Sequence, residues 1–159
     1  MNNVTMSPRT ALVVEGCEFT REVLHDVLME AGFDTMSVAC GTAASTMLAG
    51  RHFDVLVADI YLPDMHGLAV CEAARERYQG QIAILVMSGH DIERWGLASL
   101  QLCADDFLGK PFDLDEFIAR IESKLCRTPK SHGRAGIQPR AHQLVDHDRH
   151  RHIQVGVTA

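Results

Sequence analysis

Short apolar runs and longer amphipathic stretches alternate along residues 10–126. The runs Ala11-Leu12-Val13-Val14, Thr35-Met36-Ser37-Val38, Phe53 to Ala58, Ile82 to Met87 and Asp106-Phe107-Leu108 are too short for buried helices and predict strands. Glu18 to Ala31 carries apolar side chains at 19, 23, 24, 27, 28 and 31, the spacing of one helical face, and Gly32 follows as a stop signal. Thr42 to Leu48, closed by Gly50, predicts a short helix, and Leu68 to Tyr78 a helix with Leu68, Val70, Cys71 and Ala74 turned inward. Asp91 to Leu102 predicts a less regular helix, because Gly96 inside it carries a conformational cost. Asp113 to Leu125 ends the series with Leu114, Phe117, Ile118, Ile121 and Leu125 on one face. Five strand–helix units in succession predict an α/β domain, a doubly wound parallel sheet with helices on both faces.

Composition changes this picture at the two ends. Residues 1–9 read as an N-terminal extension without the basic and apolar regions of a signal peptide. Residues 127–159 shift to Pro, Gly, Ser and His and read as a flexible basic tail, too short for most output domains of about 50 residues or more. Its histidines 132, 142, 147, 150 and 152 match no structural zinc spacing. Net charge divides along the same boundary. Residues 1–126 hold 9 Lys+Arg against 19 Asp+Glu, or −10, and residues 127–159 hold 6 against 2, or +4. An acidic folded part argues against nucleic acid as a partner. No apolar run approaches the ~20 residues of a membrane span, which argues against a membrane. The five cysteines at 17, 40, 71, 103 and 126 are odd in number and never spaced C-x-x-C, as expected of reduced thiols in the cytoplasm.

The chemistry lies where the strands end. Asp59 closes the Phe53–Ala58 run and is followed by Ile60-Tyr61-Leu62-Pro63-Asp64-Met65-His66-Gly67, a loop closed by Pro and Gly. Open α/β sheets place their sites at the carboxyl ends of strands, so Asp59 is expected as an exposed, positioned anion. Glu15, Ser88 and Lys110 follow their own apolar strands in the same way, and a parallel sheet brings all four to one edge. A carboxylate can accept a phosphoryl group. A divalent cation held by neighbouring oxygens would screen the two anions from each other. A lysine and a hydroxyl would neutralise and hydrogen-bond the phosphoryl oxygens.

In Leu12-Val13-Val14-Glu15, Asp59 with Pro63 and Gly67, Val86-Met87-Ser88-Gly89, and Ala104-Asp105-Asp106-Phe107-Leu108-Gly109-Lys110-Pro111-Phe112, residues 10–126 resemble the receiver domain of two-component response regulators. The resemblance implies a flavodoxin-like (βα)5 sheet of strand order 2-1-3-4-5. It implies Asp59 as phosphoacceptor and Lys110 as the phosphoryl-binding lysine, before a proline, Pro111, that is usually cis. Ser88 takes the place of the switch hydroxyl and Phe107 that of the switch aromatic. Gly89 is small, as phosphoryl access requires. Glu15, Asp59 and the backbone carbonyl of Tyr61 are implied as ligands of Mg2+.

The chain departs from the pattern after the first strand, where two consecutive acids are usual and Glu15-Gly16 stands. Gly16 removes a carboxylate, so Mg2+ binding is expected to be weak, with Glu15 or Glu18 reaching in instead. His66 replaces an acid often found before the glycine. The function expected is a stand-alone, phosphorylation-dependent switch that takes its phosphoryl group from a histidine kinase or phosphotransfer protein and acts on a downstream protein by contact. A homodimer is compatible with it. Such a domain is no enzyme beyond catalysing its own phosphorylation and dephosphorylation. The alternative is a degenerate receiver that binds partners without phosphorylation. A small hydrolase or flavin enzyme is disfavoured, because the chain has neither a Gly-rich phosphate loop nor a G-x-S-x-G elbow. Trp95 reads as helix packing or a partner contact.

Overall fold

A computed structural model describes residues 7–89 and 103–126. The helix expected at 91–102 and the tail expected at 127–159 lie outside them. In chain order the elements are β1 (Thr10–Val14), α1 (Glu18–Glu30), β2 (Asp34–Val38), α2 (Gly41–Gly50), β3 (Val55–Asp59), α3 (Gly67–Tyr78), β4 (Ala83–Ser88), β5 (Asp106–Gly109) and α4 (Leu114–Leu125). All strand pairs are parallel, in the order β2-β1-β3-β4-β5. This is the doubly wound, flavodoxin-like order expected from the sequence.

Each central strand buries both faces, which is why β1, β3 and β4 read as unbroken apolar runs rather than alternating ones. Leu12, Val14, Leu56, Ala58, Ile84 and Val86 pack with α2 and α3 through Ala44, Leu48, Val70, Cys71 and Ala74. The alternate residues Ala11, Val13, Val55, Val57, Leu85 and Met87 pack with α1 and α4 through Leu24, Leu28, Phe117 and Ile121.

One helical face differs from expectation. Phe19 belongs to the apolar spacing of α1 but is 62% exposed, and Ala31 is exposed beyond the end of the helix. The buried stripe runs Thr20, Leu24, Leu28. Its first position is a threonine, so hydrophobicity alone sets the phase one residue early.

Candidate functional site

The shared strand direction brings Glu15, Asp59, Ser88 and Lys110 to one edge. Pairing of Val14 with Ala58, Asp59 with Met87 and Ser88 with Gly109 keeps the strand ends level. β3 lies between β1 and β4, so Asp59 sits at the middle of that edge.

Lys110 leaves the outer strand β5, and its long side chain reaches back across the edge. Its Nζ donates to Glu15 Oε2 at 2.6 Å and to Asp59 Oδ2 at 2.5 Å. The remaining carboxylate oxygens are also bonded: the Cys17 amide donates to Glu15 Oε1 at 2.9 Å, and the Tyr61 amide to Asp59 Oδ1 at 3.0 Å. The Lys110 amide donates to the Ser88 carbonyl at 2.7 Å, which ties the lysine's backbone to the end of β4. The Lys110–Pro111 peptide is cis, as the resemblance implied.

The expectation that Asp59 is exposed is overturned. Asp59 is 7% exposed and Glu15 2%. Carboxylates this buried persist because each is paired with the ammonium and hydrogen-bonded by backbone. Burial raises the pKa of Glu15 above its ordinary value, against the pull of Lys110. Burial by itself would lower the pKa of Lys110. The hydrogen bonds and charges of Asp59 and Glu15 outweigh it, and the ammonium is held above its ordinary value. Ser88 is buried at the end of β4, and half-buried Phe107 lies opposite Val86 in β5, packed against the core under α2 and α3.

The glycine eight residues after Asp59 has a steric reason. A Cβ on Gly67 would lie 1.9 Å from the carbonyl oxygen of Asp59, so no other residue lets α3 begin this close to the end of β3. The Gly67 amide donates to the Ile60 carbonyl at 2.7 Å, and Tyr61 bridges to His66, which closes the loop at its base.

Three positioning side chains escape a sequence reading. Arg21 donates to the carbonyls of Glu15 at 2.9 Å and Gly16 at 3.3 Å, holding the turn after β1. Arg75 on α3 donates to the Cys103 carbonyl at 3.2 and 3.0 Å, to the Ile82 carbonyl at 3.1 Å and to Asp105 at 2.8 Å, which fixes the approach to β5. Asp64 accepts from Gly41 N and Thr42 N, both at 2.8 Å, and from Thr42 Oγ1 at 2.6 Å. The available signal for Asp64 is indirect: Cys40, just before α2, is a poor cap, so the first amides of the helix need an acceptor from elsewhere.

The carboxylates of Glu15 and Asp59 and the carbonyl of Tyr61 are hard oxygen donors, a set that suits Mg2+, which usually binds one or two carboxylates and keeps several waters. Among the described residues no group of three His, Cys, Asp or Glu side chains is placed to hold a metal ion.

The family model of the response regulator receiver domain matches residues 11–122, more than two thirds of the chain. The chain belongs to this family. Among curated relatives, the transcriptional regulatory protein GltR of Pseudomonas aeruginosa is 32% identical over 129 residues, covering 80% of this chain and 53% of GltR. The response regulator MprA of Mycobacterium avium is 36% identical over 117 residues, covering 74% of this chain and 51% of MprA. The receiver thus spans about half the length of these relatives. Among solved structures, the receiver domain of the Francisella response regulator 1452 is 25% identical with a TM-score of 0.68, covering 76% of this chain and 99% of that one. The response regulator TrrA of Thermotoga maritima, solved in complex with Mg2+-BeF, is 25% identical with a TM-score of 0.65, covering 72% and 97%. A CheY-like receiver from Methanospirillum hungatei, 22% identical with a TM-score of 0.72 over 77% and 97%, supports the fold alone. Family membership implies phosphorylation-dependent two-component signalling. No helix among the described residues is long and apolar enough to cross a membrane.

Proposed function

We propose that this receiver accepts a phosphoryl group on Asp59 from a histidine kinase or phosphotransfer protein and then signals by protein–protein contact. The observation that carries this reading is Lys110 Nζ held between Glu15 and Asp59 at the sheet edge. In the transfer, an Asp59 carboxylate oxygen attacks phosphorus and forms the new P–O bond. The P–N bond of the donor's phosphoimidazole breaks, and its electron pair returns to the imidazole nitrogen. Lys110 is already beside the nucleophile and neutralises charge that develops on the phosphoryl oxygens. The Ser88 hydroxyl, on the neighbouring strand end, hydrogen-bonds the new acyl phosphate. An anionic acceptor strengthens that bond, and its movement is the signal that Phe107 relays outward.

Mg2+ fits the donor set of Glu15, Asp59 and the Tyr61 carbonyl, and when bound it supplies positive charge against the phosphoryl oxygens. Gly16 leaves the site one carboxylate short of the family pattern, so this binding is weak. The same observation favours a second reading, a degenerate receiver that works without phosphorylation. Intact-mass measurement after acetyl phosphate and Mg2+ separates the two. The wild type gains one phosphoryl mass, and Asp59→Asn gains none. Labelling of Asp59→Asn equal to wild type removes Asp59 from the role; no labelling of wild type leaves the degenerate reading.

A further inference from the structure

The loop that follows Asp59 is fastened at two levels. Its base is closed by the Tyr61 amide on Asp59 Oδ1, the Tyr61–His66 bridge and the Gly67 amide on the Ile60 carbonyl. Its apex, Pro63 to Met65, rests on the neighbouring β1–α1 connection and on the start of α2. A Cβ on Gly16 would lie 3.3 Å from Pro63 Cδ, so Pro63 seats on the bare backbone of Gly16. A Cβ on Gly41 would lie 2.3 Å from Met65 Cγ and 2.4 Å from Met65 Sδ, so Met65 fills the space that Gly41 leaves.

Between these two apolar seats stands Asp64. The first amides of α2 have no local acceptor: Cys40, at the cap position, makes no side-chain capping bond. Asp64 supplies it from a loop 22 residues further along, with one oxygen on the Gly41 amide and the other on the Thr42 amide and hydroxyl. A carboxylate is the group a helix N-terminus favours. The Thr42 hydroxyl and the amides of Thr42 and Gly41 push its pKa down to about 2, which favours the charged form of the clamp.

We infer that Asp64 is a positioning residue for phosphorylation: by clamping the loop apex to the start of α2 it holds the loop base, and with it the Tyr61 backbone, against Asp59. This rests on the reading of Asp59 as phosphoacceptor. The clamp makes α2 part of the site's support, although α2 contributes no group to the chemistry. Pro63 and Met65 alone are apolar contacts without direction. The three hydrogen bonds of Asp64 give the apex a single register on α2.

The test compares the full chain with Asp64→Ala and Asp64→Asn. Asn keeps a single acceptor oxygen, enough for the Gly41 amide or for the Thr42 pair, and its Nδ2 only donates, so it removes part of the clamp. Amide exchange at Tyr61 and Gly67, without Mg2+ or phosphodonor, reads the loop base. The Mg2+ dependence of labelling by acetyl phosphate reads the site. Asp64→Ala should speed exchange at both amides several-fold and raise the Mg2+ concentration for half-maximal labelling on the order of ten-fold, the scale of losing a residue that orients a ligand. The plateau rate should change less, and Asp64→Asn should lie between wild type and Asp64→Ala in both readouts. Asp64→Ala that melts earlier yet keeps wild-type exchange at Tyr61 and Gly67 would overturn the inference and leave a cap that stabilises α2 alone. Asp64→Asn equal to wild type in both readouts would also overturn it, since losing one of the two acceptor oxygens would then cost the loop nothing. A wild type that takes no phosphoryl group refutes the phosphoacceptor reading, while the exchange comparison still decides the clamp.

Discussion

Glu15 and Asp64 are two carboxylates at the same edge of one sheet, and their surroundings act on them in opposite directions. Glu15 is 2% exposed and shares the Lys110 ammonium with Asp59, and burial raises its pKa. Asp64 lies open to solvent without a cation among its hydrogen-bond partners, yet two amides and a hydroxyl hold its pKa down to about 2. Water is the difference. Asp64 keeps its hydration and adds donors, whereas Glu15 has given up hydration for one shared cation and one amide. The first arrangement is a fixed clamp. The second is poised, because the charge balance of two acids and one ammonium can be changed by a proton, a cation or a phosphoryl group.

The largest effect that would break the comparison comes from removing the shared cation. Lys110→Ala leaves two buried carboxylates facing each other, and uncompensated buried charge costs about 3–5 kcal/mol. Urea denaturation near pH 8 should show a loss of that order. The loss should shrink near pH 5, because Glu15 already has a raised pKa and can take up a proton to relieve the repulsion. An equal loss at both pH values would mean that Glu15 is not the poised group.

How far the site was legible follows from the range of each interaction. Glu15, Asp59, Ser88 and Lys110 were legible because parallel strands place consecutive strand ends at one edge whatever the helices do. The burial of Asp59 was not, because it depends on a lysine arriving from 51 residues away and on a loop folding back over the edge. The Asp64 clamp was illegible for a similar reason. Capping rules look for a residue directly before the helix, and that position is Cys40, while the acceptor lies 22 residues beyond Thr42. In α1 the apolar spacing marks the helix, but the buried Thr20 hides its true phase and makes exposed Phe19 look inward-facing. The sheet order follows from the local pattern; the side-chain network joins residues far apart in the chain.

A smaller effect would sharpen the comparison from the metal side. Gly16→Asp adds the acid that the family pattern carries. The backbone accepts it, since Gly16 has no positive φ and the tightest contact of its Cβ would be Pro63 Cδ at 3.3 Å, relieved by a few tenths of an ångström, with the Ala39 carbonyl and Pro63 Cγ at an ordinary 3.9 Å. A third carboxylate should tighten Mg2+ binding on the order of ten-fold, about 1.4 kcal/mol, by calorimetry. Unchanged affinity would show that position 16 does not face the cation, and the weak-Mg2+ expectation would lose its cause.

The smallest effect separates the two carboxylates directly. The Cys17 amide reports Glu15, and the Gly41 and Thr42 amides report Asp64, through their hydrogen bonds. In an NMR titration of the Mg2+-free receiver, the Cys17 amide should shift with a midpoint above 4.5, and the Gly41 and Thr42 amides with a midpoint near 2. The linked stabilities have opposite signs. Asp64, lowered from 3.8, contributes stability that is present above 3.8 and lost as pH falls through about 2. Glu15, raised from 4.5, contributes stability that is present below 4.5 and lost as pH rises through its folded value. Glu15→Gln should therefore flatten the pH dependence of stability on the alkaline side of 4.5 and leave the acid limb set by Asp64 in place. If the Cys17 and Thr42 amides titrate together, the two carboxylates are one coupled group, and the division of this edge into a fixed clamp and a poised pair does not hold.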